Sequence, residues 1–146
     1  MANALAVVSK LVSMGDAAIT GFTAVNWESD TITAYLVDSA DDTLNPLATT
    51  DQDLADLLAG ARVDSANLAS VTVTQASGTV TVDAADTTLA AASGDQAEHV
   101  YLFQNTGTEA TSLFLVYFDT FASGMPVTPN GGDITLAWHA SGIFTW

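Results

Sequence analysis

Positive charge is almost missing from this chain. Lys10 and Arg62 are the only Lys or Arg in 146 residues, beside two histidines. Phosphate backbones are gripped by Lys and Arg, so nucleic-acid binding is not expected. Anionic lipid attracts basic segments, so a membrane surface is not expected as a partner either. Cysteine is absent, which excludes a disulfide framework and thiolate chemistry and leaves the redox compartment unspecified. No apolar run reaches the roughly 18 residues that a membrane-spanning helix needs. The opening stretch, MANALAVVSKLVSMG, lacks a basic n-region and a compact apolar h-region, so a secretion signal is not expected. Neither His99 nor His139 stands in a His-x-x-His or His-Glu-x-x-His spacing. Both read as ordinary strand-end or turn histidines rather than metal ligands.

What is present in excess is acid. Seventeen Asp and Glu give a formal charge of -15, spread from Asp16 to Asp133 rather than gathered in a tail. In dilute buffer that charge is felt as self-repulsion. In molar salt the Debye length falls to about 3 Å and the repulsion largely disappears. The composition therefore reads as that of a protein working in brine. Hydrophobic residues make up 49%, which argues against disorder despite the charge. Much of that share is Ala and Val, so each core residue buries little area, and salt or self-assembly is expected to help stability. Charged residues are 13% of the chain, about half the usual share. The length fits one domain, taken as residues 1–146.

Periodicity places the elements. Leu5, Val8, Leu11 and Val12 recur at helical spacing, predicting a helix within 1–15 that ends at Gly15. Thr31 to Asp38 alternates and is rich in branched and aromatic residues, as a strand does. Ser39 to Pro46 is dense in turn formers. A short helix is predicted over 51–59, with Thr50 or Asp51 as cap, Asp53 and Asp56 in its first turns, Leu54, Leu57 and Leu58 inward, and Gly60 as stop. Beyond Arg62 the pattern is all β. Val71, Val73, Val80 and Val82 alternate with Thr around Ser77-Gly78, a hairpin signature. Thr87 to Ala92 is a weaker strand. His99 to Gln104 and Ser112 to Asp119 are the strongest strands, apolar on both faces. Ile134 to Trp138 and Ile143 to Trp146 complete the set. The expected fold is mainly β, an antiparallel β-sandwich with one or two short helices.

Candidate chemistry is sparse. Asp41, Asp42, Asp51 and Asp53 are weak candidates for oxygen ligation of calcium. The central Gly and terminal Glu of an EF-hand loop are missing, and solvated or turn-capping acids explain them better. No Gly-x-Ser-x-Gly elbow and no Gly-rich phosphate loop occurs. Asp is so widespread that no catalytic pair stands out. An enzyme and a bound cofactor are therefore not expected. The aromatic residues lie mostly in the last third of the chain. Tyr101, Phe103, Phe114, Tyr117, Phe118, Trp138, Phe144 and Trp146, together with Phe121 and Trp27, are read as core and subunit interface.

Gly124 to Trp146 reads GMPVTPNGGDITLAWHASGIFTW. It resembles the C-terminal signature of small structural proteins of tailed phages and related archaeal viruses. That signature has a Gly-Leu-Pro-like turn, Asn-Gly-Gly-Asp-Ile, an alternating strand and a closing Ile-Phe pair. Met125 takes the Leu place, while Pro126, Asn130 to Ile134, Trp138, Ile143 and Phe144 match. Trp27 to Ile32, Tyr35 to Asp38, Leu68, Gly94, Glu98 and Thr106 to Leu113 fall in step, covering about 120 residues. The resemblance implies a virion component at the head: a decoration, turret or fibre-base subunit. Its implied partners are copies of itself, as a trimer or pentamer, and the major capsid protein or other virion proteins. A tail, neck or fibre component with a receptor- or glycan-binding role is the alternative. The scarcity of Lys and Arg departs from the family and points to a virus of salt-loving hosts.

Overall fold

The computed structural model describes residues 4–6, 10, 21–119 and 124–146. Within them the chain is mainly β, with antiparallel sheets in a sandwich-like arrangement. The strands are β1 (Ala4–Leu5), β2 (Ile32–Val37), β3 (Arg62–Asn67), β4 (Ala69–Ala76), β5 (Thr79–Ala85), β6 (Thr87–Leu89), β7 (His99–Gln104), β8 (Phe114–Phe118), β9 (Ile134–Leu136) and β10 (Phe144–Thr145). They form a five-stranded sheet in the order β1-β8-β7-β2-β3, a three-stranded sheet β10-β5-β4 and the pair β6-β9.

The five-stranded sheet is the centre of the molecule. Strands β2, β7 and β8 are buried almost throughout, as their two-sided apolar sequences require. Register sorts their side chains. Ala34, Leu102 and Val116 lie opposite one another on one face, with Leu36, Val100 and Phe118 in the next row. The β6-β9 pair adds buried Leu89 and Leu136 to the same core. Trp138, just past β9, packs its ring 5.8 Å from that of Phe118. The other face carries all three tyrosines of the chain, Tyr35, Tyr101 and Tyr117, in one cross-strand row. Phe103 and Phe114 form the row beside it, their rings 4.9 Å apart.

Segment 38–61 reaches this tyrosine face, and here the expectation of a helix over 51–59 is corrected. Gln52 to Leu54 run extended along the β8 edge: Leu54 donates to Ser112 O at 3.0 Å, and Phe114 N–H donates to Gln52 O at 2.9 Å. The two aspartates placed in the helix's first turns instead close local turns. Asp56 Oδ2 accepts from the Gln52 and Asp53 N–H groups, and Asp53 Oδ1 from Ala55 N–H. Asp offers the backbone this alternative to a helix. Only a 3-10 turn follows, at Ala59–Ala61. A second 3-10 turn spans Glu109–Thr111.

The expected N-terminal helix is also corrected at its start. Ala4–Leu5 is extended and pairs with Tyr117 and Val116, because the open edge of β8 offers hydrogen bonds that outweigh a weak local preference. Lys10 N–H reaches Ala6 O at 3.2 Å, an i to i−4 contact; the other residues for which that helix was expected lie outside the described ones, as does Phe121. The hairpin β4-β5 turns at Ser77 and Gly78, with φ of 52° and 86°. Positive φ at both central residues is the type I′ condition, which matches the twist of the flanking strands.

Candidate functional site

Each residue singled out in the sequence can now be placed. Tyr101, Phe103, Phe114, Tyr117 and Phe118 are buried within the chain's own core. Truncating such a phenylalanine costs about 3–5 kcal/mol, a large part of a typical domain's stability of about 5–15 kcal/mol. As packed here these five serve the chain's own core, the first half of the reading made of them, and leave little surface for a neighbour. Trp138 and Phe144 are half-buried, and Trp138 is held by Nε1–H to Thr87 Oγ1 at 3.2 Å. Phe144 meets Trp27 edge-on at 5.1 Å. Trp146 alone of the eight is open to solvent, at 59% exposure.

The candidate calcium ligands hold backbone instead. Asp42 accepts from Leu44 N–H through Oδ1 at 2.8 Å and from the Tyr101 hydroxyl through Oδ2 at 2.7 Å. Asp51 accepts from Asn45 N–H and from Thr50 Oγ1. Asp53 closes the turn described above, and burial pushes its carboxyl above the ordinary value. Asp41 lies beside Gly60. Among the described residues no group of three or more His, Asp or Glu side chains is placed to hold a metal ion, and no helix is long and apolar enough to cross a membrane. His139 Nδ1 accepts from Ser141 N–H at 3.1 Å, within a turn. His99 Nδ1 stands 3.5 Å from Asp119 Oδ1, and its ring stacks on Tyr101.

Arg62 is the residue whose weight the sequence hid. Its guanidinium reaches Leu54 O at 2.5 Å and Leu57 O at 2.6 Å, and grips both oxygens of Glu109. One planar cation thus ties segment 54–57 to the 3-10 turn that leads into β8. The Arg62 hydrogen bond holds the Glu109 carboxyl below its ordinary range. Lys in this place would offer no fork of that geometry.

Among the described residues the large apolar side chains left exposed are Leu47, Leu58, Val73 and Trp146. Val73 and Trp146 share one feature, the three-stranded sheet. Val73 lies opposite Val82, which in turn lies opposite Phe144. Trp146 and Val80 exchange both backbone hydrogen bonds, at 2.8 and 2.9 Å. Val73, Gln75, Val80, Val82, Phe144 and Trp146 therefore stand on one face. The sequence carried a signal for it: residues 65–82 and 134–146 contain no Asp, Glu, Lys or Arg, and the fold brings parts of the two stretches together as β4, β5 and β10. No family model matches the chain, and no curated protein matches it.

Proposed function

We propose that this chain is a non-enzymatic structural subunit of a virion, assembling with copies of itself on the head of a halophilic tailed virus as a decoration or turret protein. The observation that carries the reading is the place of Gly124–Trp146, the segment that resembles virion proteins, in the architecture. Its Asn130-Gly-Gly-Asp133 turn receives Ala92 N–H at Gly132 O and Ala91 N–H at Asp133 Oδ1. Its β9 then pairs with β6, and its β10 completes the small sheet. The segment is thus built into the fold rather than appended to it. The polar residues that might have suggested chemistry, Arg62, Asp42, Asp51, Asp53 and Asp56, are engaged in holding loops.

The test is quantitative recovery from purified particles. Head decoration implies on the order of tens to hundreds of copies, set by the local symmetry of the head. A ring at the neck would give about a dozen copies, and absence from particles would refute a virion role. The rival reading, a tail or fibre component that binds glycan, draws on the exposed Trp146, since an open indole is a suitable sugar platform. Glycan-array binding abolished by Trp146→Ser would favour that rival.

A further inference from the structure

This inference rests on the assembly reading above and deepens it by naming the contact. We infer that the exposed end of the β10-β5-β4 sheet, where Val73, Gln75, Val80 and Trp146 stand, is where a second copy of this chain docks.

Charge selects the occupant. Each copy carries a formal charge of -15, so two copies repel wherever acid meets acid. The acids lie elsewhere in the chain: none falls in residues 65–82 or 134–146. The face built from those stretches is the one on which two such chains meet with least electrostatic cost, and a second copy presents the same uncharged face. The acids adjoining it are turned to other uses. Asp83 pairs with Thr72, on the opposite face of the hairpin. Glu28 lies along the outer edge of β4, where its Oε1 accepts the Val73 N–H at 3.1 Å.

That Glu28 contact also separates two modes of docking. The outward backbone groups of β4 would otherwise serve as a template for strand addition, and a carboxylate on the edge is a known guard against it. The edge is occupied at Val73, whereas one end of the face is open: Val73 is 39% and Trp146 59% exposed, while Val82 is buried and Phe144 is covered by Trp27. Docking is therefore face to face, with the patches of two, three or five copies converging on a common rotation axis.

Size sets the strength. Two strands of seven to eight residues and a third of two, about 4.8 Å apart and about 3.3 Å per residue, make a face below about 300 Å², part of it covered by Trp27. Two such faces bury well under the roughly 1,200 Å² at the low end of specific interfaces. The contact is weak for a free pair, is strengthened by salt, and becomes firm when many copies are held side by side.

The experiment is sedimentation equilibrium of the full chain in about 3 M KCl, where the Debye length is below about 3 Å, from micromolar to near-millimolar protein. Wild type is compared with Val73→Asp, Trp146→Ser and the control Leu47→Asp, which alters an exposed apolar residue within the acid-rich segment. Circular dichroism checks each fold, and Trp146→Ser carries the test should Val73→Asp fail to fold. The expected result is self-association of wild type, weakened at least about tenfold by the sheet variants, as for a residue central to an interface, and unchanged in Leu47→Asp. Association unaffected by the sheet variants, or weakened equally by Leu47→Asp, overturns this inference and leaves the assembly reading standing. A wild type that stays monomeric throughout overturns this inference, while the virion reading falls only with absence from purified particles.

Discussion

The Tyr101 hydroxyl donates to Asp42 Oδ2 at 2.7 Å, joining the middle of the central sheet to the loop that follows β2. Both groups are largely removed from water, and burial together with the neighbouring carboxylate drives the phenol well above its ordinary value. Tyr101→Phe keeps the ring's packing on Phe114 and removes the donor. The expected cost is about 1–2 kcal/mol, the range for a buried acceptor left unmatched. Urea unfolding at fixed KCl measures it, with faster amide exchange in residues 40–57 as a local sign. An unchanged midpoint would show that Asp42 finds water instead.

Arg62→Lys is expected to destabilise by about 2–4 kcal/mol, because an ammonium cannot reproduce the fork to two carbonyls and a carboxylate. Arg62→Ala should be no more than slightly worse. A lysine variant of wild-type stability would contradict the bidentate arrangement.

Gly142 has a φ of +93°, and a Cβ there would lie 2.6 Å from Thr81 Cγ2 and 2.7 Å from Val82 O. Both the dihedral and the close approach require glycine. Gly142→Ala should detach β10 from β5 at a cost of about 1–3 kcal/mol, while the five-stranded sheet remains. Trp146 fluorescence moving toward that of free indole, with far-ultraviolet dichroism little changed, is the expected readout. Global unfolding would instead make β10 part of the main cooperative unit.

Tyr35, Tyr101 and Tyr117 all have phenols raised above the ordinary value of 10.0, chiefly by burial. The folded state therefore holds its phenolic protons more tightly than the unfolded state. Stability is fully present below pH 10.0 and falls as pH rises through the interval between the unfolded and folded values. Tyrosinate absorbance should appear together with unfolding, in one transition, and Tyr101→Phe should move that transition to higher pH relative to its own neutral stability. Tyrosinate forming in a folded protein at its ordinary pH would contradict the burial of the row.

The unfolding midpoint should rise as KCl goes from about 0.1 M to about 3 M, since screening removes repulsion and salt strengthens apolar burial. The formal charge of -15 makes the effect large enough to follow by thermal melts. A flat midpoint across that range would remove the halophilic reading.

Much of the fold was legible from alternation. His99 to Gln104 is a strand at its expected bounds, and Ser77-Gly78 is the expected hairpin turn, since branched residues and a positive-φ dipeptide act locally. The helix over 51–59 was not legible as a loop. Asp53 and Asp56 look alike as helix-start acids and as turn acceptors, and only the β8 edge decides between them. Nor could a strand apolar on both faces reveal whether its second face meets a loop or another chain. Tyr101 and Phe103 turned out to be covered by the chain itself. The exposed sheet was written instead in what its residues lack, a run without charge, a signal that periodicity does not weigh.

Ala4 pairs with Tyr117, Ile32 with Gln104, and Phe144 with Val82. Few of these partners are near one another along the chain, so large loops must close before the central ladder rewards the loss of entropy. Such topologies fold in about milliseconds to seconds rather than microseconds. Meanwhile FLVYF and VYLF stand open to any neighbouring chain. Seventeen carboxyl groups keep those nascent chains apart. The repulsion that weakens the finished molecule in dilute buffer is thus also what guards it from clumping before it is finished, and brine lifts the burden and the guard together.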